Sequence, residues 1–219
     1  MKKIITDNKW FLIPWLLWSL ILLIYVLLTP RGTSTLWVND QHTVVLDFIF
    51  RWTTWLGDGV TVGIICFILL FVQFRAAVFA SIVSIANLVI TGALKKAFSY
   101  PRPATYFETI DLNFVHGIKT YYHLSFPSGH TSAAFCIYLT LAIICKKKKL
   151  GLLFFFIAMA VAESRVYLLQ HFEEDLLFGS AIAIVLTTVT ASLIYKKPLR
   201  EDSIWNRSLL TLNKKVIEK

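Results

Sequence analysis

Charge is scarce in this chain. Only 16% of its 219 residues are Asp, Glu, Lys or Arg, while 57% are hydrophobic. A soluble domain carries roughly 25% charged residues, so the composition excludes an ordinary water-soluble globule. Long uncharged runs mark an integral membrane protein instead. Acidic residues are the scarcer sign, 13 against 22 basic, for a formal charge of +9. That excess does not point to nucleic acid, because the basic residues are not spread over a soluble face. They cluster beside apolar runs, as membrane topology requires. Cysteine is sparse too. Cys66, Cys136 and Cys145 all fall in apolar runs, so they read as small buried hydrophobes rather than disulfide partners or metal ligands. No internal repeat is visible.

The apolar runs are then the framework. The first extends from Trp10 to Leu28 and ends at Thr29-Pro30-Arg31. It is longer than a signal-peptide core and lacks a small-residue cleavage site, so it reads as a retained helix. Pro14 is tolerable in its first turn. Further spans are expected at about 57–73, 76–94, 128–145, 150–165 and 175–195. Between the first two, residues 32–56 mix Asp47, Arg51 and Trp52 with apolar side chains. This is the pattern of a helix lying in the membrane interface. The expected fold is an all-α, six-transmembrane-helix bundle with that interfacial helix between spans 1 and 2. It forms a single domain over residues 1–219.

Six spans put both termini on one side. Most of the 22 lysines and arginines then fall on that side: Lys2, Lys3, Lys9, Arg75, Lys146 to Lys149 and the basic tail. The positive-inside rule makes it the cytoplasm. The Asn206-Arg-Ser sequon is cytoplasmic on this threading and is discounted as a glycosylation site. Lys146 to Lys149 read as a topology signal.

Three polar segments remain, all on the outer side. Residues 164–175 read Ser-Arg-Val-Tyr-Leu-Leu-Gln-His-Phe-Glu-Glu-Asp. Ionisable groups so close to apolar spans are a functional-site hypothesis by default. His171 and Asp175 are four apart, which predicts one helix face and a carboxylate-oriented imidazole. The second segment is Lys95 and Arg102-Pro103. The third is Pro127-Ser128-Gly129-His130, where a helix opens. Lys95, Arg102 and Arg165 supply cations suited to phosphate oxygens. Free N–H groups at Ser128 and Gly129 favour an anion. Two histidines then suit two-step phosphoryl transfer, one attacking phosphorus and the other protonating the leaving oxygen. A metal held by His130, His171 and Asp175 is the weaker reading, because the arginines would repel a divalent ion.

In this order, Lys-x6-Arg-Pro, Pro-Ser-Gly-His and Ser-Arg-x5-His-x3-Asp resemble the motifs of the type 2 phosphatidic acid phosphatase family. That family shares them with the vanadium haloperoxidases. Every motif position matches, over residues 95–175. The resemblance implies a lipid phosphatase that needs no metal or other cofactor. It implies His171 as the nucleophile that forms a phosphohistidine and Asp175 as the residue that orients it. His130 would be the general acid, then the base that activates water. Lys95, Arg102, Arg165, Ser128 and the Gly129 amide would hold the phosphate.

The expectation is therefore an integral membrane enzyme, fitting a bacterial inner membrane, whose site opens at headgroup level on the extracytoplasmic face. Its partners are the bilayer and a lipid phosphate, not nucleic acid. The substrates the resemblance offers are polyprenyl diphosphate, lipid A and phosphatidylglycerophosphate or phosphatidic acid. Two alternatives stand beside it: a lipid phosphotransferase using the same histidine, and a non-enzymatic lipid-binding or transport protein. Glu173 and Glu174 are expected to face solvent. Lys119, Tyr121, Tyr122 and His123 read as interfacial residues, or as contacts to a headgroup. Tyr106 and Phe107 belong to an aromatic belt or to a wall for a lipid.

Overall fold

A computed structural model describes residues 1–196, 200 and 203–212. The described residues form helices and no strand. In chain order the α-helices are α1 (Lys2–Asp7), α2 (Lys9–Leu28), α3 (Thr33–Asn39), α4 (Val44–Thr53), α5 (Gly59–Val72), α6 (Phe74–Phe98), α7 (Pro103–Tyr106), α8 (Gly129–Ile144), α9 (Leu150–Tyr167) and α10 (Glu173–Ile194). The all-α expectation holds. Among the described residues, four helical segments are long and apolar enough to cross a membrane. Counting the bent pair α4–α5 as one more gives up to five. The chain is an integral membrane protein.

Several sequence-based boundaries need correction. A separate short helix, α1, precedes the first run, and within α2, which begins at Lys9, Pro14 lies beyond the first turn. A single interfacial helix over 32–56 does not form. Asp40 to Thr43 break it into α3 and α4, and a 3-10 turn at Thr54–Gly57 follows. Asp58 then caps α5, its Oδ1 accepting from the Val60 amide at 2.9 Å. The third span begins at Phe74 and runs on to Phe98, carrying Lys95 on its last turn. The fourth apolar run yields a helix of only 16 residues, about 24 Å at 1.5 Å per residue. Cys136 is buried as expected, but Cys66 and Cys145 are only half-buried; all three are free thiols. Of the basic tail, Lys197, Lys214, Lys215 and Lys219 lie outside the described residues.

The core is built on α8, which buries residues around its whole circumference. Such a helix belongs at the centre of a bundle. Phe11 of α2, Phe135 of α8 and Phe155 of α9 meet edge-to-face. The hydrophobic faces of α2, α5, α6 and α10 face lipid; Leu27, Leu88 and Leu193, for instance, are exposed. The bundle has two chemically different ends. One gathers the Phe11 turn against Gly151, Arg75 against the Ile194 carbonyl, and Lys148 over the last carbonyls of α8. The opposite end gathers the C-terminus of α6, the N-termini of α8 and α10, and the C-terminus of α9.

Candidate active site

At that end the α9–α10 connection folds back on α9. The Arg165 carbonyl accepts from the amides of Gln170 and His171 at 2.9 and 3.2 Å. Leu169 adopts a left-handed φ of 54° to make the turn. His171 is thereby buried at 2% exposure. It does not share a helix face with Asp175, as its spacing predicts. It precedes α10, whereas Asp175 occupies the helix's first turn. They meet because Asp175 Oδ2 caps the Phe172 amide at 3.1 Å and thus points back along the chain. The same oxygen lies 3.1 Å from His171 Nδ1 and accepts from Ser125 Oγ at 2.5 Å. Nδ1 is held, and Nε2 is left facing the site.

The cations arrive from three elements. Arg102 donates through Nε to the His123 carbonyl at 2.9 Å, and through Nη1 to the Gln170 carbonyl and side chain at 2.9 and 3.1 Å. Nη1 is also 3.5 Å from His171 Nε2. Lys95 Nζ donates to the carbonyls of Leu124 and Ser125 at 2.7 and 3.1 Å. Arg165 donates through Nη1 to Thr54 Oγ1 at 2.5 Å, while its Nε is buried without a hydrogen-bond partner. Among the described residues, none of these three cations forms an ion pair with a carboxylate. Their donors go to neutral oxygens, and the nearby carboxylates Asp175 and Asp58 act on them only at a distance.

Ser128 is buried at the N-terminus of α8. Its amide donates to the Asp175 carbonyl at 3.0 Å, and its Oγ accepts from Thr131 Oγ1 at 2.8 Å. The motif serine thus welds α8 to α10. Gly129 lies beneath Lys95, with a Cβ there only 3.7 Å from Lys95 Cε. His130 lies next to it, half-buried, its Nε2 3.6 Å from Asp58 Oδ2. The charges of Arg165, Arg102 and Lys95 all act on this imidazole. All eight motif residues singled out in the sequence therefore converge on one end of the bundle. Burial pushes His171 well below the usual imidazole pKa, and the charges of Arg102, Lys95 and Arg165 add to the effect. The ring is neutral, with its Nε2 lone pair available.

Two sequence-based expectations fail here. Glu173 and Glu174 do not face solvent. Glu173 is buried against Ser34, and Glu174 pairs with Arg31 Nε at 2.5 Å. Arg31 also lies 4.2 Å from the Phe172 ring centroid, so the acidic pair ties the α2–α3 turn to the start of α10. Phe107 is buried, and Tyr106 packs on Phe172 at 5.4 Å. Tyr121 lies under both Arg102 and Lys119. Sequence reasoning missed Ser125, Gln170, Thr54 and Asp58. Asp58 alone had a sequence signal, as a capping residue just before an apolar run.

A cleft of ≈ 510 Å³ descends from Lys95, Gly129 and His130 between α5 and α6. At Gly59, Gly63 and Gly92 an added Cβ would meet nothing within 4 Å, so these glycines widen it. A second hollow of ≈ 270 Å³ between the same helices shares Cys66, Ser81 and Ile85 with the first.

Fold and site together define a membrane-embedded helical protein with two histidines in a cationic basin at one end, built to receive a phosphorylated ligand. The chain belongs to the PAP2 superfamily, whose model matches residues 75–198, and it is a membrane lipid phosphatase. It is 29% identical over 150 residues to undecaprenyl-diphosphatase BcrC of Bacillus subtilis, covering 67% of this chain and 74% of that protein. Its fold is similar to that of Aquifex aeolicus LpxE (TM-score 0.65, 24% identity, 74% of this chain and 94% of that one). It is also similar to the first transmembrane PAP2-type phosphatidylglycerolphosphate phosphatase from Bacillus subtilis (TM-score 0.63, 23% identity, 91% of this chain and all of that one).

Proposed function

We propose that this enzyme removes the terminal phosphate of a polyprenyl diphosphate through a phosphohistidine on His171. The observation that carries the phosphate reading is the convergence of Lys95, Arg102 and Arg165, none of them in a direct ion pair among the described residues, beside a neutral, carboxylate-held histidine. Nε2 of His171 attacks phosphorus, and the bond to the leaving lipid phosphate breaks as His130 protonates that oxygen. Water then attacks the phosphohistidine, His130 takes its proton, and His171 is released. The three cations neutralise the phosphoryl oxygens throughout. The Gly129 amide, at the N-terminus of α8, adds a donor. Ser128 acts chiefly by fixing α8 against α10, with its hydroxyl hydrogen aimed at the phosphate.

Two observations favour a polyprenyl chain. The BcrC relative is an undecaprenyl-diphosphatase, and the cleft below His130 is a single glycine-widened slot that suits one slender tail. In this reading the whole chain is one domain with six crossings: α2, the bent α4–α5 pair, α6, α8, α9 and α10. The exposed apolar side chains of α4, Val44, Phe48 and Trp52, support an interfacial position for it. Both termini are cytoplasmic, the membrane is a bacterial inner membrane, and the site opens outward. The test is phosphate release from a panel of polyprenyl diphosphate, lipid A and phosphatidylglycerophosphate in vesicles, with His171→Ala as blank. The diphosphate should give the highest kcat/KM. A higher value for either other lipid contradicts the substrate assignment.

A further inference from the structure

The residue that stands out is Asp58. It lies outside residues 75–198, where the family model matches, yet it reaches the site. The segment 54–58 is bound there at several points. Thr54 accepts from Arg165, and the Leu56 carbonyl accepts from Tyr138 Oη at 3.1 Å. Gly57 is pressed against α8 and α9: a Cβ there would lie 2.9 Å from the His130 carbonyl and 2.5 Å from Val161 Cγ1. Only glycine allows that approach. The turn is fixed, and it sets the Asp58 carboxylate beside the imidazole.

The two oxygens of Asp58 have separate tasks. Oδ1 caps the Val60 amide at 2.9 Å, and Oδ2 faces His130 Nε2 at 3.6 Å. Every other ionisable group acting on His130 is cationic or neutral: Lys95 from α6, Arg102 from its loop, Arg165 from α9 and His171 from the α9–α10 turn. Those cations disfavour an imidazolium, the form a general acid must take. Asp58 is the carboxylate placed to oppose them.

We infer that Asp58 is a positioning residue for His130. Across that 3.6 Å gap it attracts the Nε2–H, favours that tautomer and the charged ring, and leaves Nδ1 as the atom that gives and takes the proton. The inference rests on the proposed role of His130 as acid and base. In the first step the Nδ1 proton passes to the leaving oxygen as its bond to phosphorus breaks. In the second, Nδ1 takes a proton from the attacking water, and Nε2–H stays with Asp58 throughout. Each histidine then has its own carboxylate, on opposite nitrogens: Asp175 at Nδ1 of the nucleophile, Asp58 at Nε2 of the acid.

Asp58→Asn separates this role from the capping role, because Asn caps helices as well as Asp does. The thermal midpoint in detergent should therefore be unchanged. With a lipid diphosphate, kcat should fall about 10- to 100-fold, part of the ~10²–10⁴ that general acid–base catalysis supplies, with KM little changed. The alkaline limb of the kcat profile should move to lower pH, and Asp58→Glu should restore part of the rate. In the pre-steady-state burst of p-nitrophenol from p-nitrophenyl phosphate, which reads the first step alone with a leaving group that needs little protonation, the loss should largely vanish. An unmoved alkaline limb, or a loss in that burst as large as the loss in kcat on the lipid, overturns the inference. His130→Ala run in parallel separates the two readings: full activity there defeats the role of His130 itself. An inactive His130→Ala beside an unaffected Asp58→Asn defeats only the inference about Asp58.

Discussion

At the scale of single residues, the site works by denying groups their ordinary partners. Asp175 spends one oxygen on Ser125, the Phe172 amide and His171, so it can hold the ring in only one orientation. Asp175→Asn keeps the shape but can present an N–H where Nδ1–H must be accepted. Phosphate release should drop by about 10³- to 10⁴-fold, as with other carboxylate-oriented histidines, with KM little changed; an unchanged kcat removes Asp175 from the mechanism. The burial of His171 also has a sign. In the folded protein its pKa is depressed, whereas in the unfolded chain it takes a proton near about 6.5. Below that pH the unfolded state binds the extra proton, so stability falls as pH drops below about 6.5 and is insensitive to this group above it. Thermal midpoints measured from pH 7.5 to pH 5 should fall more steeply for the wild type than for His171→Asn. Parallel curves would contradict the assignment.

At the scale of elements, the site depends on how closely three helix ends approach. Gly179 of α10 lies against Ser128 of α8, where an added Cβ would stand 2.8 Å from the Ser128 carbonyl. Gly179→Ala must push α10 away and carry Asp175 with it. It should cost about 1–3 kcal/mol of stability and most of the activity. Leu193→Ala on the same helix is the control, since that side chain is exposed on the lipid-facing side; stability and turnover should both be retained. Equal behaviour of the two variants, in detergent melts and phosphate release, would mean that the α8–α10 approach does not set the site. The elements were also where sequence reading was least accurate at the edges. Hydropathy marks a run as apolar but does not say where helix begins or ends, so α1 precedes the first run at Lys2 and α6 runs through Lys95. The broken helix before α5 was hidden for the same reason: Asp58 reads as a lone acid until the turn brings it to His130.

At the scale of the whole molecule, the two ends of the bundle differ in chemistry as the distribution of Lys and Arg requires. A cysteine placed at Lys119 should react with an impermeant thiol reagent on intact cells, and one at Lys147 only after lysis; the reverse pattern would invert the proposed orientation. Much of this organisation was legible in the sequence. The apolar runs located the helices, and eight motif residues separated by up to 80 positions do converge. What the sequence hid was long-range and local to single atoms: Thr54 on Arg165, Ser125 on Asp175, Glu173 turned inward to Ser34. Such contacts depend on which helix ends meet, and no periodicity encodes that. The central claim is the covalent step on His171, and trapping it is the most direct test. Enzyme mixed with ³²P-labelled polyprenyl diphosphate and quenched in alkali should carry an acid-labile label on the peptide containing His171. His171→Ala should carry none and release no phosphate. Label on another residue, or wild-type phosphate release by His171→Ala, would contradict the account.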